Sequence, residues 1–385
     1  MKVIFTMGSA AIGGGTNVIL EHASKIKELG NDVYIVTDKK VKPSEYKWHS
    51  KANQLNWVTY REIKNMTFDI AIATWWRTVF NLYKINAKKY LYFVQSIESK
   101  FYDENEIGLK MLADMTYLLN LRVITEATWI KKYLEKRYNN DVILVKNGIR
   151  KDIFNLSEDK YEKCDGLRVL VEGPVDVPFK NVPKTIELVK KSKVDEIWLL
   201  TSSDIKDYPN VDRVFSKIPM KDCAKIYRSC DVIVKLSYVE GMFGPPLEMY
   251  HCGGTAIVYD VTGHDEYINN KNGIIIKTNE EEKVIEAINS LKDEKKLETL
   301  KMNAIKTAQK WCDWEESSTK FYQAVKELGK KDSVSQKELE IKSREYLEIY
   351  RLYEEKDVSL RRKLGNFGRS KFPGLYKLYR LILGR

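Results

Sequence analysis

Cysteines are few and unpatterned in this sequence, and a long apolar run is missing. The five cysteines have neither the spacing of a disulfide framework nor that of a zinc site. We therefore expect reduced, mostly buried thiols in a cytosolic protein. No apolar run approaches the roughly 20 residues that a membrane-spanning helix needs. Residues 1–8 are too short for the apolar core of a signal peptide and are predicted to form a first strand.

An excess of positive charge is the main compositional signal. The chain has 385 residues, enough for two domains, and a formal net charge of +11. Basic chains bind nucleic acid, anionic membranes or phosphorylated substrates. Residues 358–385 contain eight Lys or Arg and no acid, so most of the excess lies in a tail. Because the charge is not spread over an aromatic groove, nucleic acid is disfavoured as a partner.

The end of this tail has the pattern of an amphipathic helix. Lys377 and Arg380 lie together, and apolar side chains fall at helical spacing on another face: Leu375, Leu378, Tyr379 and Ile382. A basic amphipathic helix predicts binding to an anionic membrane surface. We expect residues 358–385 to hold the protein at the inner face of the membrane. The alternative is a helix that packs on the first domain or, in a homodimer, on a second copy of the chain.

Short β-branched runs alternate with helical runs through most of the chain, which is typical of parallel sheets. The first predicted strands are residues 2–6, 32–37, 68–74, 89–94, 122–125 and 142–145. A second series comprises residues 167–171, 196–200, 232–236 and 255–259. The pattern predicts an α/β protein with two doubly wound, Rossmann-like domains and no internal sequence repeat.

Two glutamates bracket a turn rich in glycine and proline. The turn reads Glu240-Gly-Met-Phe-Gly-Pro-Pro-Leu-Glu248 and lies between a predicted strand, 231–237, and a predicted helix that starts near 247. Such a turn places backbone N–H groups and a helix N-terminus at the carboxyl edge of a sheet, where α/β folds bind anions and sugars. A carboxylate in the first helical turn can accept hydrogen bonds from the vicinal hydroxyls of a ribose. Two solvated acids in a plain turn are the alternative.

Residues 220–276 resemble the donor-binding half of retaining GT-B glycosyltransferases of the family 4 type. The two glutamates, the Gly-Gly-Thr strand entry after Cys252 and the order of elements carry the resemblance. It implies the GT-B fold, in which two Rossmann-like domains face a cleft. We place the acceptor-side domain at 1–152, the donor domain at 153–311, a helix that crosses back at 312–330 and a helical basic tail at 331–385.

The resemblance implies transfer of a sugar, with retention of its anomeric configuration, from a nucleotide diphosphate sugar to a hydroxyl of a glycan or lipid-linked acceptor. This reaction belongs to the synthesis of bacterial cell-surface polysaccharides or glycoconjugates. The sequence has no Asp-x-Asp triad of the other glycosyltransferase fold. We therefore expect neither a metal ion nor a cofactor, since the nucleotide sugar is a substrate.

The resemblance also assigns donor-side roles. Glu248 is expected to bind the ribose, and the catalytic residues are Glu240, at the transferred sugar or departing phosphate, and Lys180, at the diphosphate. Pro174 stands where the family pattern has an arginine after Gly173, so another cation is needed to fill that phosphate contact. Further donor contacts are expected from Gly173, Phe215, Lys217, Phe243, Gly244, Thr262, Gly263 and His264.

The acceptor side is predicted at the carboxyl ends of first-domain strands. One group, Gly14, Gly15 and Thr16, opens the first helix, but the G-x-G-x-x-G spacing of a nicotinamide dehydrogenase fails there. A second group is Trp75, Trp76 and Arg77, which can stack on sugar and hold an anion. We expect one tryptophan in the core and the other exposed. The third is Gln95 and Glu98, which stand where many family members have a histidine.

Two finer readings accompany this interpretation. The Gln-x-x-Glu stretch at Gln95, with Phe101 and Tyr102 after it, resembles that of bacterial rhamnosyltransferases of the same family. The competing function is a non-catalytic GT-B subunit that binds sugar or nucleotide and supports a partner enzyme. The missing arginine and histidine favour that alternative.

Overall fold

Two parallel β-sheets covered by helices form the body of the protein. The computed structural model describes residues 1–162 and 165–371. The first sheet contains β1 (Lys2–Thr6), β2 (Asp32–Thr37), β3 (Asn56–Thr59), β4 (Thr67–Ala73), β5 (Asn86–Val94), β6 (Arg122–Thr125) and β7 (Val142–Leu144). Their order across the sheet is β3-β2-β1-β4-β5-β6-β7. Around this sheet lie α1 (Gly14–Glu28), α2 (Pro43–Tyr46), α3 (Trp76–Val79), α4 (Ile107–Met115) and α5 (Thr128–Tyr138).

The second sheet repeats this architecture. Its strands are β8 (Arg168–Glu172), β9 (Glu196–Thr201), β10 (Arg213–Ser216), β11 (Val232–Lys235), β12 (Thr255–Tyr259) and β13 (Ile274–Ile276), in the order β10-β9-β8-β11-β12-β13. The helices that follow in the chain are α6 (Val182–Lys190), α7 (Met220–Ser229), α8 (Gly244–His251), α9 (Glu281–Ser290), α10 (Glu294–Gln309), α11 (Trp314–Lys330) and α12 (Gln336–Lys371). The prediction of two doubly wound α/β domains is confirmed.

The central strands match the predicted ones because they are apolar on both faces. Every residue of β12 is buried, as expected for a parallel strand covered by helices on both sides. The predictions missed β3, β10 and β13, which are edge strands. Residues of β3 are all half-buried, β10 begins with the exposed Arg213, and β13 is only three residues long. Short or half-buried edge strands leave no long apolar run, so their sequences do not stand out.

Helix α11 returns from the second sheet to the first. Asp313 caps its start by accepting a hydrogen bond from the Glu316 N–H, and residues 149 and 313 form a β-bridge. Phe321 then packs in one core cluster with Phe5 of β1 and Phe93 of β5. His22 of α1 stacks on Phe321 with ring centroids 4.1 Å apart. The exact domain bounds stay a prediction.

Helix α12 begins on the other face of the first sheet. Leu339 is fully buried in a cluster with Phe80 and Leu82, and Gln336 donates a hydrogen bond to the Tyr83 carbonyl. The start of the predicted tail therefore packs on the first domain, and the helix continues to Lys371. Membrane binding was predicted for residues 358–385, of which 372–385, including the amphipathic stretch 375–383, lie outside the described residues. Within residues 1–162 and 165–371, no helix has the length and apolar character to cross a membrane.

Candidate functional site

The candidate site lies where the strand order of the second sheet reverses. β8 and β11 are neighbours in the sheet, although β9 and β10 lie between them in the sequence. This reversal opens a crevice at the carboxyl ends of the two strands, the usual place for ligands in doubly wound sheets. Glu172 ends β8 and Lys235 ends β11. Two charged residues therefore stand at the floor of the crevice.

An ion pair joins the two residues predicted to be catalytic. Lys180 ends a short 3-10 helix after β8, and the next residue, Asn181, has a left-handed φ of +55°. The Lys180 Nζ atom lies 2.9 Å from each carboxylate oxygen of Glu240. Only 6% of Glu240 is exposed, whereas Lys180 is partly exposed. The structure thus brings the predicted cation and carboxylate together at one point.

Lys235 approaches the same carboxylate from the sheet. Its Nζ lies 3.8 Å from Oε1 of Glu240 and 2.5 Å from Oε2 of Glu172. Burial opposes ionisation of Glu240, but the charges of Lys180 and Lys235 outweigh it, and the pKa of Glu240 is lowered. Glu240 is therefore ionised at neutral pH.

Glu248 occupies a different electrostatic environment. Helix α8 begins at Gly244, earlier than predicted, so Glu248 lies one turn inside the helix instead of in its first turn. Burial and then the charge of Glu172 raise the pKa of Glu248 to about 7, although a hydrogen bond with the Tyr227 hydroxyl opposes the rise. The carboxyl group is partly exposed. Glu248 therefore titrates near neutrality beside the ionised Glu240.

Gly173 lies next to both lysines. It follows β8 with a φ of +140°, a conformation that favours glycine. A Cβ atom at this position would lie 3.7 Å from Lys180 Cβ and 3.7 Å from Lys235 Nζ, but only 3.0 Å from Val182 Cγ2. The positive φ and the close contact with Val182 therefore both favour glycine here.

The first domain closes directly on the segment 240–242, which we call the donor loop. Gly241 packs against the main-chain oxygen of Gln95 so closely that a Cβ atom would clash with it. Trp129 Nε1 donates a hydrogen bond of 2.9 Å to the Gly241 carbonyl. The Met242 N–H donates one of 3.1 Å to the Glu126 carboxylate. Residues of both domains therefore set the position of the donor loop.

Sequence reasoning missed two charged residues of this site, Glu126 and Lys235. Burial raises the pKa of Glu126 to about 7, against its hydrogen bonds from Asn147 and the Met242 N–H. A signal existed for both residues. Glu126 directly follows the predicted strand 122–125, at a carboxyl edge, and Lys235 interrupts the otherwise apolar strand 232–236.

Residues 262–264, which were predicted to contact the nucleotide sugar, pack against the donor loop. Thr262 Oγ1 donates a hydrogen bond of 3.0 Å to the Glu240 carbonyl. Gly263 has a φ of +89° and lies against the Gly241 carbonyl. His264 Nδ1 lies 2.7 Å from the Val261 carbonyl, which places the ring hydrogen on Nδ1. Thr262 and Gly263 therefore pack against the donor loop, and contact of these three residues with a donor stays a prediction.

The other residues that were predicted to contact the donor already make contacts within the second domain. The Phe243 ring is fully buried in the core of the second domain. The Gly244 N–H already donates to the Met242 carbonyl. Phe215 packs against Trp198 of β9, with ring centroids 5.2 Å apart, and the exposed Lys217 pairs with Asp204. The roles of these residues at a nucleobase or phosphate stay predictions.

Part of the predicted acceptor side does meet the donor loop. Gln95 follows β5 and is half-buried, and a Cβ atom on Gly15 would lie 3.2 Å from its Oε1. The neighbouring Gly14 is exposed, and Thr16 is half-buried at the start of α1. Because Gln95 also contacts Gly241, it lies between the first helix and the donor loop.

One tryptophan of the pair lies in the core as expected, whereas the other is half-buried and not exposed as predicted. Trp76 is 2% exposed, and the Trp75 ring is half-buried over Gly8. The exposed Arg77 places its guanidinium 4.6 Å from the centroid of the Trp76 ring. Glu98 is buried beneath this pair and accepts a hydrogen bond of 2.8 Å from the Trp76 N–H. Glu98 thus shapes the loop from inside, and its contact with an acceptor stays a prediction.

A cavity of about 560 Å³ lies away from this crevice. Its lining includes Arg168, Glu196 and Arg213, which stand at the amino ends of β8, β9 and β10. Doubly wound sheets bind ligands at the carboxyl ends of their strands. We therefore place the functional site at the Lys180–Glu240 pair. Among the residues that the structure describes, no cluster of His, Cys, Asp or Glu is arranged to hold a metal ion.

Part of this site lies within a segment that matches a known protein family. Residues 202–311 match the protein-family model described as glycosyl transferases group 1. The match includes both Glu240 and Glu248 and covers well under half of the chain. A comparison with curated protein sequences gave no significant match.

Several solved structures are similar over nearly their whole length. Sucrose-phosphate synthase from Thermosynechococcus elongatus is 16% identical, with a TM-score of 0.69 over 85% of this chain and 99% of that one. HepE from Anabaena, in complex with UDP-glucose, is 14% identical, with a TM-score of 0.69 over 85% of this chain and 100% of its own. WaaG, described as a glycosyltransferase involved in lipopolysaccharide biosynthesis, is 14% identical, with a TM-score of 0.62 over 84% and 98%.

These likenesses define the fold. The two facing doubly wound domains have the GT-B architecture, as predicted. The segment that matches the glycosyl transferases group 1 model lies in the second of them.

Proposed function

We propose that this protein transfers a sugar from a nucleotide diphosphate sugar to a hydroxyl of a glycan or lipid-linked acceptor, with retention of the anomeric configuration. The Lys180–Glu240 ion pair at the crevice carries the proposal. The glycosyl transferases group 1 match over this segment supports it. The similar structures support the substrate class, because HepE is described with UDP and glucose and WaaG with lipopolysaccharide biosynthesis. A role in bacterial cell-surface polysaccharide synthesis is part of this proposal, and the description of WaaG supports it.

The charges at the site suit a departing diphosphate. Negative charge builds on the leaving group, and fixed cations or N–H donors there stabilise the transition state. Lys180 is partly exposed and close to the crevice, so it can exchange Glu240 for a phosphate oxygen. Glu248 would accept hydrogen bonds from the ribose of the donor. In this proposal the lysine supplies the positive charge, and transfer needs no metal ion.

The acceptor would enter from the first domain. Gln95 touches the donor loop, and Trp75 and Arg77 lie farther along the same carboxyl edge. An aromatic face can stack on a sugar ring, and an arginine can hold a phosphate of a lipid-linked acceptor. The Gln-x-x-Glu stretch at Gln95, which resembles that of bacterial rhamnosyltransferases, is part of this proposed acceptor side.

A panel of nucleotide sugars tests the proposal. A ligand that binds only the folded state raises the melting temperature, so at least one member of the panel should stabilise the protein. The same member should be slowly hydrolysed by the isolated protein. Stabilisation without hydrolysis or transfer would favour the non-catalytic subunit. Pro174, which replaces the arginine of the family pattern, is the observation in favour of that second function.

A further inference from the structure

Lys235 is a charged residue in the middle of a sheet. It ends β11, which lies between β8 and β12, and only 2% of it is exposed. The three residues before it, 232–234, are all buried and apolar. A buried ammonium group is unfavourable unless carboxylates compensate its charge. A lysine at this position therefore has to be explained by its partners.

Two carboxylates compensate Lys235. Its Nζ donates to Oε2 of Glu172 at 2.5 Å and to the Glu172 main-chain oxygen at 3.2 Å. It also lies 3.8 Å from Oε1 of Glu240. Burial lowers the pKa of Lys235, but Glu172 and Glu240 outweigh this effect, and the pKa is raised. Lys235 is therefore a permanent cation shared by the sheet and the donor loop.

The two lysines on Glu240 differ in their freedom to move. Lys180 stands on a short turn and is partly exposed, so it can leave Glu240 for a ligand. Lys235 is held by the strand and by two oxygens of Glu172, the carboxylate Oε2 and the main-chain oxygen. A diphosphate in the crevice would attract Lys180 and leave Glu240 with one cation.

We infer that Lys235 is a positioning residue that keeps Glu240 ionised and in place when Lys180 turns to the donor diphosphate. The inference rests on the proposed function, because it requires a diphosphate at this crevice. Without Lys235, a buried carboxylate would face a diphosphate of the same charge and would take up a proton. With Lys235, the carboxylate stays ionised at the transferred sugar throughout the reaction.

The groups around Glu240 determine whether removal of Lys235 raises or lowers the pKa of Glu240. Lys180 and Lys235 favour its ionised form, as does the nearby Ser237 hydroxyl. Glu126, from the first domain, interacts with it as a like charge, and Tyr267 faces it from the segment before β13. Among the described residues, removal of Lys235 leaves Lys180 as the one cation that favours the ionised form of Glu240. The pKa of Glu240 then rises, and the acid limb of the pH–rate profile moves to higher pH.

Three variants test this inference: Lys235→Arg, Lys235→Met, and the double variant Lys235→Met with Glu172→Gln. The double variant removes the ion pair as a unit, so no buried charge is left unpaired on the strand. It therefore keeps the test valid if Lys235→Met alone does not fold. The matched control is Lys184→Met, a lysine of α6 that pairs with Glu281 away from Glu240. The probe is the nucleotide sugar that the wild type hydrolyses fastest in the panel described above.

We expect the apparent pKa on the acid side of the kcat–pH profile to rise by about one unit in Lys235→Met and in the double variant. One unit is a tenfold lower rate on that limb, and the donor KM should change much less. Lys235→Arg should recover most of the rate, and Lys184→Met should match the wild type. If the double variant regains the wild-type profile, Lys235 only neutralises Glu172 and the inference is wrong. If the wild type hydrolyses no nucleotide sugar, the proposed function itself fails.

Discussion

The carboxylate of Glu126 joins the two domains through the main chain of Met242. Its Oε1 accepts a hydrogen bond of 3.1 Å from the Met242 N–H, and its Oε2 accepts one of 2.8 Å from Asn147 Nδ2. Glu126 belongs to the first domain, and Met242 belongs to the donor loop beside Glu240. Only 5% of Glu126 is exposed. The position of the donor loop thus depends on one buried carboxyl group of the opposite domain.

The effect of replacing Glu126 on the free energy of unfolding should therefore depend strongly on the new side chain. Glu126→Ala leaves the buried Met242 N–H without a partner, and we expect a loss of about 1–3 kcal/mol in the free energy of unfolding. Glu126→Gln should be tolerated, because Asn147 Oδ1 has no hydrogen-bond partner and a rotated Asn147 amide can accept from the new NH₂ group. Chemical denaturation of both variants checks this. Equal losses in the two variants would contradict the role of the hydrogen bonds.

The buried Glu98 should make stability fall as pH rises. Burial raises the pKa of Glu98 to about 8, whereas an unfolded glutamate titrates near 4.5. The stability linked to this group is complete below pH 4.5 and is lost as pH rises through about 8. Glu98→Gln removes the titration and keeps an oxygen that can accept from the Trp76 N–H. The variant should therefore gain stability relative to the wild type between pH 5 and pH 8, measured by denaturation at both values. A difference that does not change with pH would contradict the prediction.

The two glutamates should affect different steps. Glu248→Ala should weaken binding of UDP by about 100-fold, since it removes charge-assisted hydrogen bonds to ribose hydroxyls. Glu240→Ala should mainly lower turnover, because its carboxylate is held by lysines next to the transferred sugar. Calorimetry with UDP and steady-state kinetics measure the two effects. The exposed Glu286 of α9 supplies a matched control, Glu286→Ala. Unchanged affinity for UDP in Glu248→Ala would remove the ribose role.

Lys180 should recognise the diphosphate and not the nucleoside. Lys180→Ala removes one charge-assisted contact, so we expect binding of UDP to weaken by about 2 kcal/mol and binding of uridine to remain the same. Competition binding with both ligands measures the difference. Lys184→Ala, four residues along the chain, should leave both affinities unchanged. Equal losses for uridine and UDP would show that Lys180 only maintains the fold.

The basic tail should bind anionic membranes. Each Lys or Arg near an anionic surface contributes about 1 kcal/mol, and residues 358–385 contain eight of them. Deletion of 358–385 should leave donor binding intact and release the protein from vesicles that contain phosphatidylserine. Co-sedimentation at low and high salt measures this. A full-length protein that stays in the supernatant at low salt would show instead that the tail belongs to a protein interface.

The sequence alone determined the fold class and the position of the candidate site. Strands such as Asp32–Thr37 and Thr255–Tyr259 were predicted at their exact bounds, because buried parallel strands leave continuous apolar runs. Glu240, Glu248 and Lys180 were predicted as a group, because a strand, a glycine-rich turn and a helix fix a carboxyl edge. The structure brings Glu240 and Lys180 into direct contact there.

Only the tertiary structure decided which side chains share that edge. Glu126 and Gln95 reach the donor loop from more than a hundred residues away in the sequence, through contacts between two domains. Lys235 looked like one residue of an apolar strand, and its role depends on two carboxylates from other segments. Phe243 lies inside the predicted motif, yet its ring is turned into the core. Local sequence fixes where a strand ends, whereas the charges that meet there depend on how separate strands are placed side by side.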